Sequence, residues 1–365
     1  MKTIEFKKDN LNSLKNPLFF KRLEENNLEL DLENEFSNYA SSENILATNN
    51  FTSALHLSMC AISLKRGDKV ICSINSSPEI PEVVRHFDAE PIFIDIKKNS
   101  FEMDLDKLKQ IIDENSSKKL KAIIVSHVAG EILNLKEVKK IIKDRKLLII
   151  EDATNSIGLD REGLDSISDI KVFSFDNRIS NLGIFATDNK VIFERAKLLA
   201  DHGIRYEENA HLDYIYDVVD IGCQYEASRL DLAYSIDSLE RVARDLKTRR
   251  DIAKQYVEHL KNTVHIKIDP FQQNHSYSQF IIRVDKNRDG FAKDLKAVGI
   301  ETKLHYIPLH LLSYYKSKYE LKINSYPNAL RNYQEILSIP IHSMLSSEDV
   351  AYIIKNIKSI AKNRV

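Results

Sequence analysis

The chain has 365 residues, 43% of them hydrophobic and 29% charged, with 53 Lys and Arg against 54 Asp and Glu. That length suits one large and one small domain, and that composition is of an ordered globular protein, not a disordered one. A net charge of −1 gives no electrostatic case for nucleic acid or an anionic membrane surface, and no apolar run reaches the ~18–20 residues of a bilayer span.

The N-terminus, MKTIEFKKDNLNS, starts basic but lacks the apolar stretch of a signal peptide. Cys60, Cys72 and Cys223 are scattered and odd in number, which speaks against a disulfide framework and for a cytoplasmic protein. From about residue 40 onward, short apolar runs alternate with longer helical patterns. Strands are predicted at Lys69–Ile74, Pro91–Ile96, Lys121–His127, Leu147–Glu151, Lys171–Phe175 and Ile184–Thr187. They are near-continuous hydrophobic runs, as parallel strands covered on both faces require. Helices are predicted between them at Ser53–Leu64, Glu79–Phe87, Leu105–Glu114, Leu135–Arg145 and Val191–Leu199. This alternation reads as an open, mostly parallel α/β sheet.

Asp231–Leu260 contains neither Gly nor Pro and reads as one long helix with room for a bend. A smaller α+β unit follows. Strands are predicted at Tyr277–Val284 and Thr302–Tyr306, a helix at Gly290–Val298, and a closing helix over Ser346–Lys362 with Ser346 or Ser347 as its cap.

Several segments, in order, carry a family likeness. Gly67–Ile71 (GDKVI) resembles GDEVI, and Asp88–Ile96 (DAEPIFIDI) resembles GA-x-P-V-F-V-D-I. Ala122–Gly130 (AIIVSHVAG), Glu151-Asp152-Ala153 with Gly158, Leu304–His310 (LHYIPLH), Tyr326–Ala329 and Leu337–Ile341 continue the pattern to the C-terminus. Together they resemble the DegT/DnrJ/EryC1/StrS family of pyridoxal-phosphate-dependent nucleotide-sugar aminotransferases. The resemblance implies an aspartate-aminotransferase-like (fold type I) α/β large domain, residues 1–240, and a smaller C-terminal α+β domain, residues 241–365. It also implies a homodimer with sites at the subunit interface, a nucleotide-sugar ligand, and a place in surface polysaccharide or glycan biosynthesis.

The same resemblance assigns a cofactor site. Asp152 matches the carboxylate that pairs with the pyridinium nitrogen; at the C-terminal end of a strand it also stands where open α/β sheets bind ligands. Asn155 takes the place of the glutamine on the ring hydroxyl. Thr52 and Ser53 open the helix that holds the phosphate, Ser174 matches a serine near that phosphate, and Gln224 stands for the asparagine supplied by the partner subunit.

The departures are as consistent as the matches. The family's FSFH-P-T-K-N segment carries the Schiff-base lysine, and here Phe173–Gly183 reads FSFDNRISNLG, with no lysine between Val172 and Asn189. The catalytic position is therefore vacant within Asp176–Ser180; a guanidinium such as Arg178 cannot replace an amine nucleophile. Phe51 stands in the glycine position of the phosphate turn, where a ring would obstruct close approach to the backbone. Ser77 replaces the ring-stacking aromatic and Glu226 replaces the phosphate arginine. The expectation is a degenerate family member, a non-catalytic or ligand- and partner-binding protein. The alternative is an active aminotransferase or dehydratase holding pyridoxal or pyridoxamine phosphate non-covalently, with Asp176, Arg178 or Ser180 in the loop and Asp176 as base. Glu151 and Asp152 face opposite sides of one strand and cannot form an acid–base pair.

Overall fold

The computed structural model describes residues 2–8, 14–15, 17–115, 119–143, 145–161, 167–175, 180–206 and 215–364. Short helix α1 (Pro17–Arg22) and α2 (Leu28–Ala40) lead into β1 (Asn44–Thr48). Then follow α3 (Phe51–Ala61), β2 (Lys69–Ser73), α4 (Glu79–Arg85), β3 (Glu90–Ile94), α5 (Leu105–Glu114) and β4 (Leu120–Ser126). The next elements are α6 (Leu135–Ile142), β5 (Leu148–Asp152), β6 (Ile170–Ser174), β7 (Gly183–Thr187) and α7 (Lys190–Ala200).

These strands form one seven-stranded sheet in the order β1-β7-β6-β5-β4-β2-β3. The pairs β2–β3, β2–β4, β4–β5 and β5–β6 are parallel, and β7 runs antiparallel to both β6 and β1. Alternate side chains enter opposite layers. Ile124, Ile150 and Val172 pack under α3, α4 and α7. Ile123, Val125 and Ile149 pack under α5 and α6, while Phe173, Ile184 and Ala186 pack under α2.

Beyond α7, the hairpin β8 (Ile204–Tyr206) and β9 (Tyr216–Val218) precedes α8 (Arg229–Leu239) and α9 (Val242–Leu260). The predicted single helix is thus two, divided at Glu240 and Arg241; both residues keep helical dihedrals, so the break is a bend. A three-stranded antiparallel sheet follows, built of β10 (Ile266–Lys267), β11 (Phe280–Val284) and β12 (Ile336–Ile339). It packs with α9, α10 (Arg288–Ala297) and α13 (Ser347–Lys362) in a second core centred on Tyr256, Phe291 and Ile353. Ser346 caps α13 reciprocally with Asp349. The expected strand at Thr302–Tyr306 does not form. Only Lys303 bridges Ser338, after which the chain leaves the sheet and Leu309 N donates to Ile74 O over the large sheet. The remaining helices, α11 (Ser313–Lys318) and α12 (Pro327–Glu335), pack Tyr315 and Ala329 into the first core. Asp95 fastens α12 there by accepting from Asn328 N and Ala329 N at 3.1 and 3.0 Å. Among the described residues no helix is long and apolar enough to cross a membrane.

Candidate active site

The site lies across the C-terminal ends of β1, β6, β5 and β4. At one end is the turn from β1 into α3. Asn50 is extended (φ −167°, ψ 171°) and its Oδ1 accepts from Ser53 N at 2.8 Å, which fixes the first turn of the helix. The other first-turn N–H groups remain for an anion. Thr52 is exposed and Ser53 half-buried at this opening. Phe51 begins α3, is half-buried and packs against the first core. The glycine that matters is Gly183, where a Cβ would lie 2.2 Å from Asn50 O and 2.7 Å from Thr48 Oγ1. Its bare Cα lets the start of β7 press against the Asn50 turn.

At the other end is Asp152, the last residue of β5, in register with Ser126 of β4 and Val172 of β6. Its Oδ1 accepts from Thr154 N at 3.3 Å. Burial pushes its carboxyl above the ordinary aspartate range, against hydrogen bonds from Thr154 and Ser126 that favour the charged form. Tyr306 lies close by, its phenol pushed well above the usual range by burial and then by the charges of Asp152 and Glu79. Neither Tyr306 nor Glu79 was singled out from the sequence, because their influence joins segments far apart in the chain. Three strand spacings separate the β1 end from Asp152, about 14 Å. That matches an elongated ligand with an anion at one end and a protonated heterocyclic nitrogen at the other.

Glu151 faces the opposite layer. His127 Nδ1 accepts from Leu133 N at 3.1 Å, so its Nε2 carries the proton and donates to Glu151 at 2.8 Å. Arg161 reaches the two carboxylate oxygens at 2.7 and 2.9 Å, and Ser168 donates at 2.8 Å. Burial alone would raise this carboxyl; His127, Arg161 and Ser168 outweigh it and hold it at about 2. Glu151 is a structural anion, and no acid–base pair with Asp152 exists.

The other anticipated residues are spread around this frame. Ser174 ends β6 opposite Gly183 and is half-buried. Asn155 lies in the turn after Asp152, where its Oδ1 accepts from Ser278 Oγ at 2.9 Å. Gln224 is exposed, with Nε2 donating to Glu226 Oε2 at 3.3 Å. Asp176 and Arg178 lie outside the described residues. Ser180 is buried, its hydroxyl 3.3 Å from Ser235 Oγ and accepting from Leu182 N, so it is turned into the protein.

The two lysines flanking the lysine-free segment are both placed away from the site. Lys171 is buried under α2, and its Nζ donates to Ala40 O, Ser41 O and Ser42 Oγ at 2.9, 2.8 and 2.9 Å. Lys190 begins α7 just past Thr187, the end of β7 that pairs with Asn44 at the opposite edge of the sheet from Thr48.

A seven-stranded sheet in this order with β7 reversed, a helix N-terminus at one end of the site and a strand-end carboxylate at the other define a fold type I aminotransferase-like protein. The chain belongs to the DegT/DnrJ/EryC1/StrS aminotransferase family, whose sequence profile matches residues 6–358. It is 31% identical to the uncharacterized protein MJ1066 of Methanocaldococcus jannaschii over 356 residues, spanning 92% of this chain and 90% of that one. It is 26% identical to the spore coat polysaccharide biosynthesis protein SpsC of Bacillus subtilis, over 90% of this chain and 88% of SpsC. The putative sugar aminotransferase Spr1654 of Streptococcus pneumoniae, in its PMP form, superposes with a TM-score of 0.90 at 23% identity, covering 99% of each chain. That last likeness is one of fold.

Proposed function

We propose that this chain is a family member that keeps the ligand cleft but does not run a conventional transamination cycle. It serves as a non-catalytic, nucleotide-sugar- or partner-binding protein of glycan biosynthesis. The observation that carries this reading is the placement of lysine. None occurs between Val172 and Asn189, and Lys171 is committed to three oxygens at the end of α2. The relation to SpsC supports the glycan setting. A homodimer is part of the proposal. Tyr206, Tyr216, Val218, Val219 and Ile221 form an exposed apolar surface on and beyond the β8–β9 hairpin, of the kind that pairs with another chain.

The residues present fit the cofactor in part. Asp152 suits a protonated pyridine nitrogen, and the opening of α3, with Thr52, Ser53 and Ser174, suits a phosphate. Ser77 offers no ring to stack, and Glu226 would repel a phosphate if it met one at close range. A bound pyridoxamine phosphate would supply an electron-sink ring and an amine. The first turn of α3, whose remaining N–H groups suit an anion, favours a second reading: the cofactor is held non-covalently and the chain acts on a sugar nucleotide.

The experiment adds pyridoxal phosphate to purified protein, reduces with borohydride and maps the product by mass spectrometry; scattered partial labelling of surface lysines is expected, and no stoichiometric adduct at a lysine of the cleft. Pyridoxamine phosphate is then titrated while the melting temperature is followed. Amino transfer to a keto-sugar with a stoichiometric adduct at a lysine of the cleft overturns the proposal. A saturable melting shift lost in Asp152→Asn selects the second reading.

A further inference from the structure

Three segments meet at the turn that follows Asp152. The strap leading into β11 lays Ser276 against Gly130 and Asn155: Ser276 N donates to Gly130 O at 3.2 Å, and Ser276 Oγ donates to Asn155 O at 2.5 Å. Arg249 of α9 holds the strap from behind, its Nε donating to Ser276 O at 2.9 Å. Gly130 sits at φ +95°, and a Cβ there would fall 1.7 Å from Ser276 Oγ and 2.9 Å from Asn155 O. Only glycine permits this junction. Ser278 N donates to Ser276 Oγ at 3.2 Å, so the hydroxyl of Ser278 is delivered to a fixed place. There it donates to Asn155 Oδ1 at 2.9 Å.

A carboxamide has one acceptor end and one donor end. With Oδ1 taken by Ser278, the Nδ2 end of Asn155 has no partner among the described residues. We infer that Ser278 is a positioning residue. It fixes the Asn155 carboxamide with its N–H2 group available to the cleft, so that the turn after Asp152 recognises a ring carrying an oxygen acceptor. A flipped amide would present lone pairs to that oxygen and repel it. The inference rests on the reading that a pyridine-type ring binds beside Asp152, and it ties recognition of that ring to the docked position of the strap.

The test uses the full chain and two probes, pyridoxamine 5′-phosphate and its analogue lacking the ring hydroxyl. Ser278→Ala is expected to weaken the first roughly three- to ten-fold, the worth of one hydrogen bond. It should leave the second within about two-fold, and Ser278→Thr should restore binding. Independently of any ligand, the side-chain amide signals of Asn155, identified by their loss in Asn155→Ala, are followed by nitrogen-15 NMR. They should shift and exchange several-fold faster with solvent in Ser278→Ala and recover in Ser278→Thr. Equal weakening of both probes, or Asn155 signals indifferent to Ser278, overturns the inference. If neither probe binds the wild type while the Asn155 signals respond as described, the ring-binding reading fails and the positioning role stands.

Discussion

The ammonium of Lys171 donates a 2.8 Å hydrogen bond to the backbone carbonyl of Ser41, beyond the end of α2. Ser41 is left-handed (φ 46°, ψ 55°), so the helix ends there with carbonyls pointing at the cation. A positive charge suits the negative end of a helix, and here it also satisfies Ala40 O and Ser42 Oγ. Replacing Lys171 by Met keeps the volume and strands three acceptors, two of them buried and one half-buried. The expected loss is roughly 2–3 kcal/mol of unfolding free energy in urea, with ligand binding by the folded protein unchanged. A neutral effect on stability would contradict the structural role assigned to this lysine.

Most of the large sheet was legible because its strands are buried on both faces and read as unbroken apolar runs. Leu105–Glu114 matches its prediction to the residue. Strand β1 was missed: Asn44–Thr48 is short and carries polar residues at both ends, and it is held by pairing with β7 more than by its own propensity. The predicted strand at Thr302–Tyr306 failed for the converse reason, since its pattern is suitable but a single bridge to Ser338 is all it finds. In the site, Asp152 was legible from its position after an apolar strand. The packing of Phe51 against the first core, the nearness of Tyr306 to Asp152 and the Ser278 tie were not, because each depends on which distant segment arrives beside it.

The Glu151 network gives stability a defined dependence on acid. Its carboxyl falls from an ordinary 4.5 to about 2 on folding, so the stabilisation is complete above 4.5 and lost as pH drops toward 2. Glu151→Gln leaves Arg161 buried without its counter-ion. At neutral pH the variant should be less stable by roughly 3–5 kcal/mol. Urea midpoints taken at decreasing pH should draw together with wild type as pH falls from about 4.5 toward 2, the unfolded carboxyl protonating first and the native one last. A gap that stays constant into that range would exclude Glu151 as the titrating group.

Glu33 has the opposite sign. Its Oε1 accepts from Ala47 N at 2.9 Å, but burial, with Glu29 adding repulsion, pushes its carboxyl to about 7 against Ala47 N–H and Lys197. Because the folded value lies above the ordinary 4.5, the fold is favoured at low pH and loses that advantage as pH rises through about 7. Glu33→Gln keeps an acceptor for Ala47 and cannot ionise. It should match wild type in acid and exceed it above neutrality by roughly 1 kcal/mol, partial exposure having reduced the effect. Thermal melts across the pH range read this directly; parallel curves would rule it out.

Phe51 separates two views of the phosphate turn. If its ring lay over the first turn of α3, trimming it would open an anion site. Phe51 packs against the first core, so trimming is expected to remove apolar contacts. Phe51→Ala should cost roughly 2 kcal/mol of stability, as expected for a large partly buried side chain. Inorganic phosphate and pyridoxamine phosphate should bind within about two-fold of wild type, because the Asn50 cap and the N–H groups of the helix opening stay where they are. Calorimetric titration of the folded variant decides between them. A ten-fold gain in affinity would mean that the ring covers the anion site, and the open turn behind the non-covalent reading would lose its basis.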